Sequence, residues 1–159
     1  MFGLLKAEER KRRRNVQLDR RYLEARSRRF LKIYLNANEG RKPQFYEVLQ
    51  KASERCLPSQ SALPSTDLED GEIAKATSNT AMKIVLERGS LNKGDKISDF
   101  ETDAYATICI AYRRAAGFYL MDDDMQALGT AAVHLLTIAT SFLNAQKSDL
   151  GAKSMKLGD

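Results

Sequence analysis

Residues 124–146, DMQALGTAAVHLLTIATSFLNAQ, decide the fold class of this chain. Apolar side chains recur along this stretch at alternating steps of three and four residues, which places them on one face of an α-helix. Other faces are apolar as well, so we expect this helix at the buried centre of the fold. One neighbouring helix would not cover so much apolar surface, and we therefore also expect a homo-oligomer. The apolar seam consists of Met125, Leu128, Ala132, Leu135, Ala139 and Phe142.

The chain upstream of this stretch also predicts helices. Residues 5–37 contain neither Gly nor Pro and are rich in strong helix formers, which predicts a first helix of about 50 Å. A second, shorter helix is expected from Pro43 to about Cys56, because Pro is tolerated in the first turn. The predicted organisation is a basic helical arm at 1–42, a short helix at 43–57, a linker at 58–65, an acidic three-helix bundle at 66–146 and a frayed tail at 147–159.

Three helix starts in the predicted bundle have capping-box spacing, in which a side-chain acceptor precedes Glu or Gln by three residues. They predict helices at about 66–88, 99–121 and 124–146, with Gly89 as one stop. The fold class is therefore all-α: a long basic N-terminal helix plus a short helix, then a three-helix bundle. The capping pairs are Thr66/Glu69, Ser98/Glu101 and Asp123/Gln126.

Composition excludes several classes of protein. With 159 residues, 43% of them hydrophobic and only three Pro, the chain fits one folded domain rather than a disordered or fibrous protein. No run approaches 18 consecutive apolar residues, so no membrane span is expected. Two cysteines provide neither a disulfide framework nor a zinc site, and a cytoplasmic location with reduced thiols is the expectation.

Charge is distributed unevenly along the chain. Residues 1–42 carry 14 Lys and Arg against five Asp and Glu, whereas residues 67–146 carry seven against 12. A basic segment before an acidic body is typical of proteins with an anionic partner. The basic segment can also pack on its own acidic body, and the sequence leaves that alternative open.

The first predicted helix separates its cations from its apolar residues. At about 100° per residue, five cations fall on one side of the helix and four large apolar residues on the other. Because Arg donates paired hydrogen bonds to phosphate, the cations are candidate nucleic-acid-binding residues. We call Arg10, Arg14, Arg21, Arg28 and Lys32 the basic face. We call Val16, Leu23, Phe30 and Tyr34 the apolar stripe.

Two functions follow from this helix. In the first, the protein is a non-enzymatic accessory factor that binds nucleic acid, DNA or RNA, through phosphates and without sequence preference. In the second, it is an adaptor or assembly subunit whose apolar stripe packs on a protein partner. No phosphate loop, nucleophile motif or metal-ligand spacing is present, so we expect no catalytic residues, no cofactor and no metal.

Other patterns have structural interpretations. Tyr105, Tyr112 and Tyr119 recur every seven residues, which is typical of a core stripe. Cys109 and His134 are assigned structural roles rather than a nucleophile–base pair. The run Asp122–Asp124 suits the positive end of the helix that follows it. Residues 70–88 resemble a repressor helix-turn-helix, but the turn glycine is absent and one amphipathic helix accounts for them as well.

Overall fold

The computed structural model describes residues 2–56, 71–87, 97–117 and 123–157, with side chains described except at 2–5, 15–18 and 150–157. Five α-helices account for nearly all of these residues, and the described ranges contain no strand. The predicted all-α class is thereby confirmed. The predicted linker, the Thr66/Glu69 pair and Gly89 lie outside the described residues. The helices are α1 (Phe2–Asn36), α2 (Lys42–Cys56), α3 (Gly71–Leu86), α4 (Asp99–Ala115) and α5 (Asp123–Leu157).

The start of α4 confirms one predicted capping box. The backbone N–H of Glu101 donates to Ser98 Oγ at 3.2 Å, and Ser98 Oγ donates to Glu101 Oε1 at 3.2 Å. These bonds satisfy groups that the first helical turn leaves without a partner. Helix α1 (predicted 5–37) and helix α2 (predicted from Pro43 to Cys56) also lie within a few residues of their expected bounds.

Two helix ends differ from the predicted ones. Helix α4 ends at Ala115 rather than near 121, because Gly117 adopts a left-handed conformation with φ 73° and its N–H donates to the carbonyl of Arg114 at 3.2 Å. Such a glycine is a common helix stop. Helix α5 continues to Leu157, so the predicted tail is helical over most of its length. Once a helix has formed, each further residue adds a hydrogen bond at little cost, and 147–157 contains mostly good helix formers.

The buried centre of the fold is α4 rather than α5. Every residue from Thr102 to Tyr112 is buried, and α4 packs against all four other helices. We expected α5 in this position because it is apolar on most sides. Helix α5 instead exposes one face, which costs little because the side chains there are small or polar. That exposed face comprises Ala127, Thr130, Ala131, His134, Thr137 and Ser141.

Helices α1 and α2 share the same core. The ring of Phe30 packs edge-on against Phe45 at 5.3 Å between centroids, and the hydroxyl groups of Tyr34 and Tyr46 are hydrogen bonded at 2.7 Å. Tyr46 also contacts the ring of Phe142 in α5 at 5.0 Å. The core of this chain is thus built by all five helices, and the second half of α1 belongs to it.

The apolar seam of α5 is occupied within the chain. Met125, Leu128, Ala132, Leu135 and Ala139 are buried in the monomer. The surface from which we expected a homo-oligomer is therefore covered by the chain's own helices, and that argument for self-association no longer holds.

Helix α5 has a second property that bears on membranes. Within Asp123–Asp149 its most apolar 18-residue window has a mean hydropathy of 1.3, which makes the helix long and apolar enough to cross a bilayer by length and composition. Buried residues make up 33% of its most apolar window. Core helices of water-soluble proteins meet the same criterion, so the expectation of no membrane span stays a prediction.

Candidate nucleic-acid interface

The N-terminal part of α1 is exposed on every side. All side chains from Lys6 to Arg14 are exposed, and six of these nine residues are Lys or Arg. Because successive residues turn by about 100°, the cations point in all directions around the helix axis. We call residues 6–14 the basic segment.

The basic face begins within the basic segment, at Arg10 and Arg14, and continues along the part of α1 that packs on the core. All five of its side chains are exposed, and they extend about 33 Å from Arg10 to Lys32 at 1.5 Å per residue. On the opposite side of the helix, Leu23, Phe30 and Tyr34 are buried. The core thus holds α1 in a rotation that leaves the basic face towards solvent.

Most of the basic face lacks ion pairs. Arg28 contacts Glu24 at 2.7 Å across one helical turn. Arg10, Arg14, Arg21 and Lys32 make no ion pair with any residue that the structure describes. Exposed pairs one turn apart are weak, so the charge of Arg28 also remains available to a stronger anionic partner.

Two other arginines of α1 have a different role, which the sequence analysis missed. Arg26 donates from Nη1 to Asp103 Oδ1 at 3.1 Å, and Arg29 Nε lies 3.4 Å from Asp103 Oδ2. Arg26 also donates to the hydroxyl of Tyr22 at 3.1 Å. These residues join α1 to α4. The detectable signal was Asp103 itself, an acid that directly precedes the mostly apolar run 104–112.

Burial controls the protonation of this cluster. Asp103 is only 2% exposed, and this burial raises the pKa of its carboxyl group, although Arg26 and Arg29 act in the opposite direction. Burial would lower the pKa of Arg26, but the hydrogen bonds to Tyr22 and Asp103 outweigh it and raise that pKa. Arg26 therefore stays charged and is committed to the core.

The apolar stripe is not a free surface. Leu23, Phe30 and Tyr34 lie in the chain's own core, and the side chain of Val16 lies outside the described residues. In this arrangement the three buried residues cannot contact a separate protein partner. The predicted partner-binding stripe is therefore corrected to an intramolecular packing surface, because α2 and α4 present aromatic rings to it.

The remaining candidates occupy structural positions. Tyr105 and Tyr112 are buried in α4, and Tyr119 lies outside the described residues. Cys109 is fully buried beside Ser78 Oγ at 3.4 Å, whereas His134 is exposed on α5. Residues 71–86 form the single helix α3. Asp123 and Asp124 lie in the first turn of α5, where the helix dipole favours acids.

Comparison with other proteins adds no assignment. No known protein family, curated protein sequence or solved structure is significantly similar to this chain. The exposed positive charge of α1 is the most distinctive surface feature of the described residues.

Proposed function

We propose that this protein binds double-stranded nucleic acid by its phosphate backbone, through the basic face and the basic segment of α1. The observation that carries this proposal is the separation of two sets of cations on one helix. Arg26 and Arg29 are used by the buried Asp103, while the five cations of the basic face are exposed. Arg10, Arg14 and Arg21 form no ion pair with a described residue, and Arg28 contacts only Glu24 of its own helix. Such exposed arginines are suited to phosphate, which accepts their paired hydrogen bonds.

The dimensions of the helix suit a duplex. The basic face extends about 33 Å, close to the ~34 Å length of one turn of B-form DNA. The basic segment is exposed all round, and an α-helix of about 10–12 Å diameter fits the ~12 Å major groove. A-form RNA has a deep and narrow major groove that admits no helix. These dimensions favour DNA over duplex RNA.

The composition of the surface favours binding without sequence preference. Its exposed cations reach phosphates, and phosphate contacts fix position without reading bases. Release of counterions from the phosphates then provides most of the affinity, which makes binding strongly dependent on salt.

Salt titration of DNA binding tests the proposal. For roughly five to seven phosphate contacts, log affinity should fall with log salt with a slope of about −4 to −6. Substituting Arg14, Arg21 and Arg28 with Gln should flatten the slope by about two to three and weaken all sequences alike. Gln retains helix propensity, so the melting temperature should hardly change.

A matched control removes the same number of charges elsewhere. Lys51, Lys83 and Lys147 are exposed on α2, α3 and α5, and their triple Gln variant lowers net charge equally. This control should retain nearly the parent slope. Equal slopes for the parent and the α1 triple variant, or equal losses in both triple variants, would contradict binding by the basic face.

A further inference from the structure

A groove of about 460 Å³ lies at the end of the basic face. It is bounded by the last turns of α1, the first turn of α2 and the first turn of α4. Its apolar surface comes from Ile33, Phe45 and Phe100, and Ile33 is 43% exposed. The volume lies in the range of sites that take small molecules or single groups of a larger ligand.

Aromatic packing holds the apolar surface in place. The ring of Phe100 lies 5.4 Å from Phe30 and 5.2 Å from Phe45, between centroids. A ring fixed on two sides and partly exposed on a third can stack a planar group without losing its own freedom on binding.

The rim of the groove has one sign of charge. Lys32 and Arg41 are exposed cations, and among the described residues no carboxylate lines the groove. The acids closest along the chain have partners of their own. Asp99 and Glu101 flank Phe100; Asp99 lies 3.4 Å from Arg26 Nη1, and Glu101 accepts from Ser98 Oγ at 3.2 Å. Glu39 contacts Lys42 at 3.0 Å. The rim therefore complements an anionic ligand, and Asn36 and Gln44 add amide groups that can both donate and accept hydrogen bonds.

We propose that this groove binds an unpaired nucleotide at the end of a DNA duplex, an inference that rests on the proposed function. The base stacks on the apolar surface, the amides of Asn36 and Gln44 contact its edge, and Lys32 and Arg41 contact the flanking phosphates. Lys32 is also the last cation of the basic face, so the two surfaces are continuous. An acidic peptide would also use the cations and the amides, but the continuity with the basic face favours a nucleotide.

Fluorescence anisotropy with three DNA probes tests this inference. The probes are a blunt duplex of about 20 base pairs, the same duplex with a single-stranded overhang of about five nucleotides, and the same overhang made of abasic sites. The abasic overhang has the phosphates but not the bases. The parent should bind the base-containing overhang about five- to tenfold tighter than the abasic one.

Two variants locate the effect. Phe100→Leu should bring the ratio between the two overhangs close to one, because it removes the stacking surface for the base. Arg41→Gln should weaken binding of both overhangs alike, because both contain the phosphates. Each variant should leave blunt-duplex affinity nearly unchanged. Lys51→Gln and Phe142→Leu are the matched controls, since they make the same changes outside the groove, and should keep the parent ratio. Arg41 is exposed, so its variant remains informative even where Phe100→Leu lowers stability.

The outcomes separate the two proposals. A parent that binds the blunt duplex but does not distinguish the overhangs overturns the nucleotide site and leaves the proposed function standing. A base preference that survives Phe100→Leu, or overhang affinities that Arg41→Gln leaves unchanged, overturns it as well. Competition by an acidic amphipathic peptide, with no preference between overhangs, would assign the groove to a peptide. A parent that binds none of the probes overturns both proposals.

Discussion

Arg26 of α1 and Asp103 of α4 form a hydrogen-bonded ion pair at 3.1 Å that joins the basic helix to the centre of the core. The carboxylate is nearly inaccessible to water, whereas the guanidinium reaches solvent through a side chain that is 21% exposed. This asymmetry makes Asp103 depend on Arg26 more than Arg26 depends on Asp103, because a buried charge without partners is strongly destabilising.

Replacing Arg26 with Gln should destabilise the fold in a way that depends on pH. We expect a loss of about 2–3 kcal/mol at neutral pH, below the ~3–5 kcal/mol of a fully buried pair because Arg29 remains. The pKa of Asp103, already raised by burial, should rise further. A folded state that binds a proton more tightly than the unfolded state loses stability as pH rises. The difference in free energy of unfolding between the parent and Arg26→Gln should therefore be larger at pH 8 than at pH 5.

Urea unfolding of the parent and Arg26→Gln at these two pH values measures this effect. Arg21→Gln, an exposed substitution on the same helix, is the control and should be neutral at both. In an Asp103→Asn background the pH dependence caused by Arg26→Gln should disappear. An equal loss of unfolding free energy at both pH values would contradict a further rise in the pKa of Asp103 in Arg26→Gln.

The two thiols should be unreactive in the folded protein. Burial raises the pKa of Cys56 to about 12, from an ordinary value of 9.0, and also raises the pKa of Cys109. Only thiolates react readily with disulfide reagents, so a chromogenic disulfide at pH 8 should label neither thiol in buffer and both in denaturant. The raised values also predict that stability falls as pH increases from about 9 towards 12. Rapid labelling in buffer would contradict this burial.

Gly129 should tolerate no side chain. A Cβ added there would lie 2.8 Å from Cβ and 2.9 Å from Cγ of Arg114, where α4 and α5 approach closely. Overpacking of this kind costs about 1–3 kcal/mol, which exceeds the ~1 kcal/mol that Ala gains over Gly in a helix. Gly129→Ala should therefore lower the melting temperature. Gly71→Ala, at a position with nothing within 4 Å, is the control and should not. A melting temperature of Gly129→Ala equal to that of the parent would contradict the close approach of α4 and α5.

Removal of residues 1–14 should separate binding from folding. The described side chains of this part are exposed, so the shortened chain should unfold at nearly the parent temperature, as measured by circular dichroism. Its affinity for duplex DNA should fall at least tenfold, because the basic segment, which includes two residues of the basic face, is lost.

Removal of residues 1–37 should instead destabilise the whole fold, since Leu23, Phe30 and Tyr34 are lost from the core. A stable 38–159 fragment would contradict that shared core.

Features that depend on nearest neighbours could be predicted without the tertiary structure. Ser98 and Glu101 are three residues apart, and their capping box forms from that spacing alone. The basic face and the apolar stripe follow from the 3.6-residue period, which is why the buried side of α1 and its exposed cations lie where the sequence predicted them. The stop of α4 at Gly117 is also local. A glycine can be accommodated within a helix, however, and the predicted helix at 99–121 includes Gly117.

Features that depend on how helices dock could not be predicted in this way. Helical periodicity identifies which side of α1 is apolar, but not that α2 and α4 rather than a separate protein would cover it. Arg26 and Asp103 are 77 positions apart, and their ion pair exists only because α1 and α4 pack together. The same holds for the central position of α4 and for the groove beside Lys32 and Phe100. The sequence alone determined the helices and the side of α1 on which the charges lie, because both depend on local spacing. Only tertiary packing decided which helix is central and which cations remain available to a partner, because these depend on contacts between residues that are distant in sequence.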